Sequence, residues 1–240
     1  MFTRQTRELS LTEISQRLGV GKSTAHRLLA TLESREFVEQ NQQNGRYRLG
    51  VKTIHIGSNK LNTVNIIDDC HPILVQLSVD TNESAHLSFY SNGQITFVDK
   101  VMGANPAVMS SLIGYRLPAY ATASGKVFLA HLEREELEKF FSRSELKALT
   151  PFTITTHDKM RSVLQSIRER GHGEDQQESD EGLVCFSAPI RDHYNTVVAA
   201  MSVSGAASRM NSRREELIRA VKQAAWQASQ KCGCLLPPQI

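Results

Sequence analysis

The sequence predicts an α+β protein, with a winged helix-turn-helix at its N-terminal end, then linker helices, then a larger domain with an antiparallel sheet flanked by helices. Three observations lead to this prediction. Two short helical patterns near the N-terminus are joined by a glycine turn and followed by a hairpin signal. The rest of the chain mixes alternating strand patterns with helical ones, as antiparallel sheets covered by helices do. The length of 240 residues suits two domains better than one.

The first helix is predicted from a capping box. In "SLTE", the Ser10 hydroxyl and the Glu13 carboxylate can each satisfy a free N–H group at the start of a helix. We expect this helix to run from Leu11 to about Leu18 and to end at Gly19, because glycine readily adopts the left-handed conformation that ends helices.

The second helix is predicted over "KSTAHRLLATLESREF", after the short turn "GVG". Its apolar face is expected to contain Ala25, Leu28, Leu29, Leu32 and Phe37. Its first turns carry polar residues that can reach DNA phosphates or base edges, namely Lys22, Ser23, Thr24, His26 and Arg27. Exposed N–H groups at the helix start favour backbone phosphates, and Arg27 is the best candidate for reading guanine.

The same stretch, "GVGKST", also resembles the end of a nucleotide-binding phosphate loop. That motif requires a first glycine five places before Gly21, where this chain has Gln16. It also follows a buried strand, whereas the upstream "LTEISQRL" has helical spacing. We therefore expect Lys22 to meet a DNA phosphate rather than a nucleotide.

A wing is predicted from "FVEQ" and "RYRLG", which flank the turn-rich "NQQNG". The Asn44-Gly45 pair favours a tight hairpin turn. Arg46 and Arg48 alternate with apolar residues along the second strand, so we expect them to contact phosphates or the minor groove. Ordinary hairpin surface is the alternative interpretation.

The charge distribution supports a polyanionic partner. Residues 1–52 hold nine Lys or Arg against five Glu, a local charge of +4 within a total of +3. Such a field suits DNA, although a solvated surface also explains a modest excess. No run approaches the roughly 18 apolar residues of a membrane span. The N-terminus lacks the apolar core of a signal peptide, so we expect a cytoplasmic protein.

Two helical segments are predicted to connect the wing with the strands of the larger domain, "VKTIHIGSNKL" and "NIIDDCHPILVQLSV", the second interrupted at Pro72. A second Asn-Gly turn predicts a hairpin in "SAHLSFYSNGQITFVDKV". Further candidate strands are "AVMSSL", "LVCFSAPIRD" and "TVVAAMSVSG". Candidate helices are "SGKVFLAHL", "EREELEKFF", "HDKMRSVLQSIRERG" and "SRREELIRAVKQAAWQASQKCG".

Two runs of residues resemble a known family. "LSLTEISQRLGVGKSTAHRLLATLESREFVEQ" followed by "GRYRLG" closely resembles the winged helix-turn-helix of IclR-type bacterial transcription regulators. "RERGHGEDQQESDEGLVCFSAPIRD" followed by "VVAAMSVSG" is similar to a second run of that family. The resemblance implies a DNA-binding domain over residues 1–50, a linker helix over 51–64 and a GAF-like effector-binding domain over 65–240. The chain departs from the family pattern in two places: the family usually has Gly where Glu36 stands, and we expect its first apolar helix to be shortened or missing here.

The resemblance also implies a pocket for a small organic acid, such as a sugar acid, keto acid or aromatic acid. Its apolar walls would be Met109, Leu117 and Leu183, and its polar groups Asp175, Cys185, Ser202 and Ser204. The N–H groups of Ala123 and Ser124 would begin a helix that stabilises the ligand carboxylate. Plain core and strand positions are the alternative interpretation. The resemblance further implies a homodimer or homotetramer on a palindromic operator, and either repression or activation is compatible with it.

An enzyme is the competing hypothesis, because paired acids such as those in "EDQQESDE" can act as acid and base or bind a metal. Against it, acids in a loop between a helix and a strand are usually solvated surface, which we expect for Asp175, Glu178, Asp180 and Glu181. Cys185 lies in an apolar run where a buried inert thiol is the default. The pair in "KCGC" lacks the spacing and further ligands of a zinc site, so no metal or cofactor is expected. A small-molecule binding module without DNA binding is the third hypothesis.

Overall fold

A computed structural model describes residues 1–2, 6–62, 65–104 and 112–236, with backbone only for 57–62. The chain separates into two units, Met1–Val64 and Asn65–Ile240. In the described part, no helix is both long and apolar enough to cross a membrane.

The N-terminal unit is a winged helix-turn-helix followed by a further helix, as the sequence predicts. Its elements are α1 (Leu11–Leu18), α2 (Lys22–Glu33), β1 (Val38–Gln40), β2 (Tyr47–Leu49) and α3 (Val51–Asn62). The two strands pair antiparallel. The capping box is present, since the Ser10 N–H donates to Glu13 Oε2 at 2.8 Å and the Glu13 N–H donates to Ser10 Oγ at 3.3 Å. Gly19 ends α1 with a φ of +66°, which confirms its predicted role.

The core of this unit includes a residue that precedes α1. Leu9 exchanges two backbone hydrogen bonds with Tyr47, of 2.9 and 2.8 Å, and so extends the wing sheet by one bridge. Its side chain joins a buried cluster with Ile14, Leu29, Val38 and Tyr47. The segment before the capping box therefore packs as an extended strand edge at this point.

The predicted apolar face of α2 is wrong in part. Ala25 and Leu29 are buried, but Leu28 and Leu32 are 48% and 42% exposed. Ala25 and Leu29 are four residues apart and form one stripe along the helix. Leu28 and Leu32 form a neighbouring stripe, which is rotated by about 100° from the first. Only the first stripe faces α1 and the wing, and no element of the described part covers the second.

The predicted tight turn of the wing is also wrong. The strands end at Gln40 and resume at Tyr47, so the loop is longer than a two-residue turn. Within it the Gly45 N–H donates to the Asn41 carbonyl at 2.8 Å, and Gly45 has a φ of +67°. The glycine is required by this left-handed conformation, but in a wider loop than the sequence suggested.

The residue at which the chain departs from the family pattern has an unusual backbone conformation. Glu36, between α2 and β1, has a φ of +62°. Its carbonyl accepts the N–H of Lys52 at 3.1 Å, and a Cβ added to Gly50 would lie 2.2 Å from that carbonyl oxygen. A left-handed conformation suits glycine far better than glutamate, so the departure carries a conformational cost.

The C-terminal unit contains one six-stranded antiparallel sheet in the described residues, with strand order β5-β4-β3-β8-β7-β6. Its strands are β3 (Ser84–Ser91), β4 (Gln94–Val101), β5 (Arg116–Pro118), β6 (Gly173–Gln176), β7 (Leu183–Arg191) and β8 (Val197–Ala206). Its helices are α4 (Ile66–Thr81), α5 (Ala123–His131), α6 (Arg134–Arg143), α7 (His157–Arg170), α8 (Ala207–Ser212) and α9 (Arg214–Lys231).

Helices cover both faces of the sheet, which confirms the predicted architecture. On one face, α4 and α9 form a core with the side chains of Val184 and Phe186. On the other face, Ser124 of α5 hydrogen-bonds to Ser187, and α5, α6 and α7 form a second core. Because strand side chains alternate, β7 contributes to both layers.

Several local predictions are confirmed or corrected in this unit. Asn92 and Gly93 have φ values of +50° and +79°, as the predicted tight turn requires.

The predicted interruption at Pro72 is wrong, since α4 continues through it. The missing N–H removes one bond near the start of the helix, while Cys70 and Leu74 on either side are packed in the core. The candidate strand "AVMSSL" lies outside the described residues except for Leu112.

Candidate DNA-binding surface and effector pocket

The start of α2 is an exposed, uncapped helix N-terminus. It follows Gly21, which has no side chain to accept the first N–H groups. Lys22, Ser23 and Thr24 are all exposed, so these N–H groups and side chains are open to solvent. A helix start of this kind combines free donors with a partial positive charge and therefore suits phosphate.

The next turn of α2 carries His26 and Arg27, which are also exposed. Among the described residues, neither Lys22 nor Arg27 forms a salt bridge with a carboxylate. Within the described part of this unit, no carboxylate neutralises either charge. The structure thus brings together all five polar residues predicted for the second helix.

The two wing arginines are in a different situation. Arg46 Nη2 lies 2.7 Å from Glu13 Oε2, the carboxylate of the capping box. Arg48 Nε lies 2.5 Å from Glu39 Oε1 on the partner strand. Both arginines are at the surface, but acids already neutralise part of their charge, so their contact with DNA stays a prediction.

A buried polar pocket lies between the sheet and the start of α5. Seven of the predicted effector residues line it: Leu117, Ala123, Ser124, Asp175, Cys185, Ser202 and Ser204. Leu183 packs beside it against Ala123 and Cys185. Met109 lies outside the described residues. The free space is about 20 Å³, enough for roughly one water molecule.

Asp175 is the buried acid of this pocket, with 1% exposure. Its Oδ1 accepts the Glu178 N–H at 2.7 Å, and its Oδ2 accepts the Ser179 hydroxyl at 2.5 Å. Burial raises the pKa of Asp175 to about 6, although Lys126 and these hydrogen bonds oppose the rise. Burial and the neighbouring Asp175 also raise the pKa of Cys185 well above its usual value, which supports an inert thiol.

The prediction of solvated acids is therefore wrong for Asp175 and Glu178, which are 1% and 6% exposed, and right for Asp180 and Glu181. The reason is β6, a four-residue strand that the sequence did not predict and that pairs Asp175 with Cys185. Glu178 forms a buried ion pair with Lys126 of α5. Glu178 Oε2 has no hydrogen-bond partner among the described residues.

Sequence reasoning missed further residues of the pocket, including His86, Thr122 and Ser179. His86 lies opposite Ser202 on adjacent strands, and burial lowers its pKa to about 3, so it is neutral near pH 7. Thr122 caps α5 by accepting the Gly125 N–H at 3.0 Å. The N–H groups of Ala123 and Ser124 then remain without intrahelical acceptors. The alternating pattern of "SAHLSF" could have indicated His86.

In the described residues, no cluster of three or more His, Cys, Asp or Glu could hold a metal ion. The four cysteines are buried free thiols.

Comparison with known proteins identifies both units. Residues 1–42 match the IclR helix-turn-helix domain, and residues 58–230 match the C-terminal domain of IclR bacterial transcriptional regulators. The chain is 35% identical to the transcriptional regulator XynR of Escherichia coli over 211 residues, covering 88% of this chain and 84% of XynR. It is 34% identical to the transcriptional regulator KdgR of Escherichia coli over 230 residues, covering 95% and 88%.

A solved IclR transcriptional regulator from Silicibacter sp. TM1040 has the same fold, with a TM-score of 0.87 and 25% identity over 99% of this chain and 93% of that one. The matched families and relatives are transcriptional regulators and not enzymes. The chain therefore belongs to the IclR family of bacterial transcriptional regulators, which bind DNA through their helix-turn-helix.

Proposed function

We propose that this protein is a cytoplasmic regulator that binds a palindromic operator as a homodimer or homotetramer and responds to a small organic acid. The observation that carries the DNA-binding part is the uncapped start of α2, where Lys22 and Arg27 have no salt bridge with an acid of the described residues. Lys22, Ser23 and Thr24 would hold a backbone phosphate, and His26 and Arg27 would reach the base edges. Arg46 and Arg48 would make secondary contacts, because part of their charge is already neutralised.

The chemistry of the pocket supports a hydroxylated organic acid as the effector. Hydroxyl groups line it at Thr122, Ser124, Ser179, Ser202 and Ser204. The free N–H groups at the start of α5 would bind the carboxylate, since a helix start favours negative charge. The ionised Asp175 would accept a hydrogen bond from a ligand hydroxyl, and the protonated form would donate one to it. Both protonation states are within reach of neutral pH, because the pKa of Asp175 is about 6. A sugar acid fits this lining better than an aromatic acid.

The small free volume of the pocket links effector binding to a change in the conformation of the protein. The free space holds roughly one water molecule, so we infer that the pocket widens when an organic acid binds. A ligand that binds only the enlarged state shifts the protein toward it, and any difference in DNA affinity between the two states then follows by linkage.

The DNA-binding part is tested by fluorescence anisotropy with DNA from upstream of the protein's own or a neighbouring operon and with a scrambled duplex. Arg27→Ala should lose the preference for the native sequence. Arg35→Ala is the matched control, because it removes one exposed positive charge outside α2. Equal affinity for both duplexes in the unmodified protein, or equal losses in the two variants, contradicts the proposal.

The effector part is tested by a thermal-shift screen of sugar acids, keto acids and aromatic acids. A ligand of the folded state raises the melting temperature by mass action. The shift should shrink in Ser204→Ala and persist in Ser212→Ala, a substitution on α8 outside the pocket. A different result would favour a small-molecule binding module without DNA binding. In that case a ligand would raise the melting temperature, but the protein would not select its operator and the ligand would not change its affinity for DNA.

A further inference from the structure

A second cavity lies in the C-terminal unit, at the end of β7 that β6 does not reach. The pairing of β6 with β7 stops at Gly173 and Ser187, so the last residues of β7 extend beyond it. The end of α7 and one side of α9 border the space that is left. The cavity has a volume of about 340 Å³ and shares no lining residue with the effector pocket.

Three cations from three different elements line this cavity. They are Arg168 of α7, Arg191 of β7 and Lys222 of α9. No Asp or Glu is present among the described lining residues. Trp226 of α9 supplies an aromatic wall, and Asn195 and Ser229 add polar groups. The lining is therefore positive on one part and apolar on another.

Each cation is oriented by a backbone carbonyl rather than by a carboxylate. Arg191 Nη1 donates to the Asn195 carbonyl at 3.0 Å, and Lys222 Nζ donates to the Arg170 carbonyl at 3.0 Å. Arg168 Nε donates to the Ala130 carbonyl. Within the described part of the chain, none of the three forms a salt bridge with an acid. A guanidinium has five N–H donors and an ammonium three, so each group keeps donors for a ligand.

One cation of this cluster is partly desolvated. Arg191 is half-buried, and the loss of solvation lowers the pKa of its guanidinium. The nearby His131 is also affected: burial lowers its pKa to about 4, and the charges of Arg191 and Arg168 contribute to that decrease. An anion bound beside a partly desolvated guanidinium would stabilise its charged form.

We propose that this cavity is a second ligand site, which binds a small organic anion through a carboxylate or phosphate group. The anionic group would lie among Arg168, Arg191 and Lys222, and the apolar part of the ligand against Trp226. The volume is within the range of about 300–1,000 Å³ that small-molecule sites occupy. Because its lining residues are distinct from those of the effector pocket, both sites can be occupied at the same time.

The intrinsic fluorescence of the protein tests this site, since Trp226 is the only tryptophan of the 240-residue chain. The ligands are sodium benzoate and inorganic phosphate, titrated at constant ionic strength against sodium chloride, with benzamide as the uncharged analogue. We expect a saturable change with benzoate or phosphate and none with chloride or benzamide. Equilibrium dialysis with labelled benzoate or phosphate then measures the affinity directly.

Lys222→Gln should weaken binding about tenfold or more, because it removes one charge-assisted hydrogen bond. Lys159→Gln is the matched control, with the same charge loss at an exposed position of α7 outside the cavity. Ser204→Ala, in the effector pocket, should leave the fluorescence change intact. Arg191→Gln provides a second test at the half-buried position, with circular dichroism to verify that it folds.

The proposal is overturned if neither anion gives a saturable signal, or if chloride or benzamide gives the same one. It is also overturned if Lys222→Gln and Lys159→Gln bind equally well, or if Ser204→Ala abolishes the signal.

Discussion

Removing the positive partner of the buried Lys126–Glu178 pair should strongly destabilise the C-terminal unit. The two residues are 1% and 6% exposed, so water screens their interaction very little. Lys126→Met would leave the Glu178 carboxylate buried without its cation, beside the buried Asp175. Breaking a buried pair from one side costs about 3–5 kcal/mol, whereas an exposed pair contributes about 0–1 kcal/mol. For a unit of this size the loss corresponds to a decrease of roughly 6–20 °C in the melting temperature.

The assay is urea unfolding followed by circular dichroism, as a double-mutant cycle. Glu178→Gln removes the unpaired buried charge. The free energy of unfolding of the double variant Lys126→Met/Glu178→Gln should therefore be about 2 kcal/mol higher than that of Lys126→Met. The surface pair of Lys139 and Glu136 is the matched control, because its side chains are 53% and 58% exposed. If Lys126→Met costs no more than Lys139→Met, or the double variant is no more stable than Lys126→Met alone, the assignment of a buried pair is refuted.

Three further predictions follow from single sites. Glu36→Gly should raise the free energy of unfolding of the N-terminal unit by about 1 kcal/mol, measured by urea unfolding, because Glu36 has a φ of +62°. Asp175→Asn should change the pH dependence of stability. The pKa of Asp175 is about 6 in the folded protein against an ordinary value of 3.8. The folded state therefore binds more protons between these values, and this carboxyl makes stability fall as the pH rises through that window. Asp175→Asn should remove that decrease in urea titrations from pH 4 to pH 7. Lys22→Ala should reduce the slope of DNA affinity against salt concentration by about one, and Arg48→Ala by less, because Arg48 is already paired with Glu39.

Each of these has its own control. Glu36→Ala keeps a side chain at the left-handed position, so it should not reproduce the gain of Glu36→Gly; equal gains would mean that the backbone is not the cause. Asp180→Asn, at an exposed acid of the same segment, should leave the pH dependence near that of the unmodified protein. Equal salt slopes for Lys22→Ala and Arg48→Ala would contradict the difference in their surroundings.

Features that depend only on residues close together in the sequence were predicted correctly from local signals. The Ser10 capping box, the Gly19 stop and the Asn92-Gly93 turn are set by backbone chemistry within a few residues, and all three are present. Most predicted pocket residues also line one cavity, because the family resemblance placed Asp175, Cys185 and their neighbours in a shared context.

The features that were missed depend on tertiary packing. The burial of Glu178 follows from a buried lysine on α5 that lies in an apolar run with no local sign of a partner. The exposure of Leu28 follows from which elements pack against α2, which a helical period alone does not specify. Strand β6 is four polar or small residues long and is recognisable only from its pairing with β7.

The small free volume of the candidate effector pocket also has a consequence for the rate of ligand binding. The pocket has space for about one water molecule, so binding of an organic acid there, as proposed above, requires the pocket to open first. The observed association rate should then level off at high ligand concentration, at the rate of opening, instead of rising in proportion to concentration. Stopped-flow mixing would therefore measure the rate at which the pocket opens. Substitutions that loosen the start of α5 should increase this rate, and with it the speed of the regulator's response, without any change in the ligand.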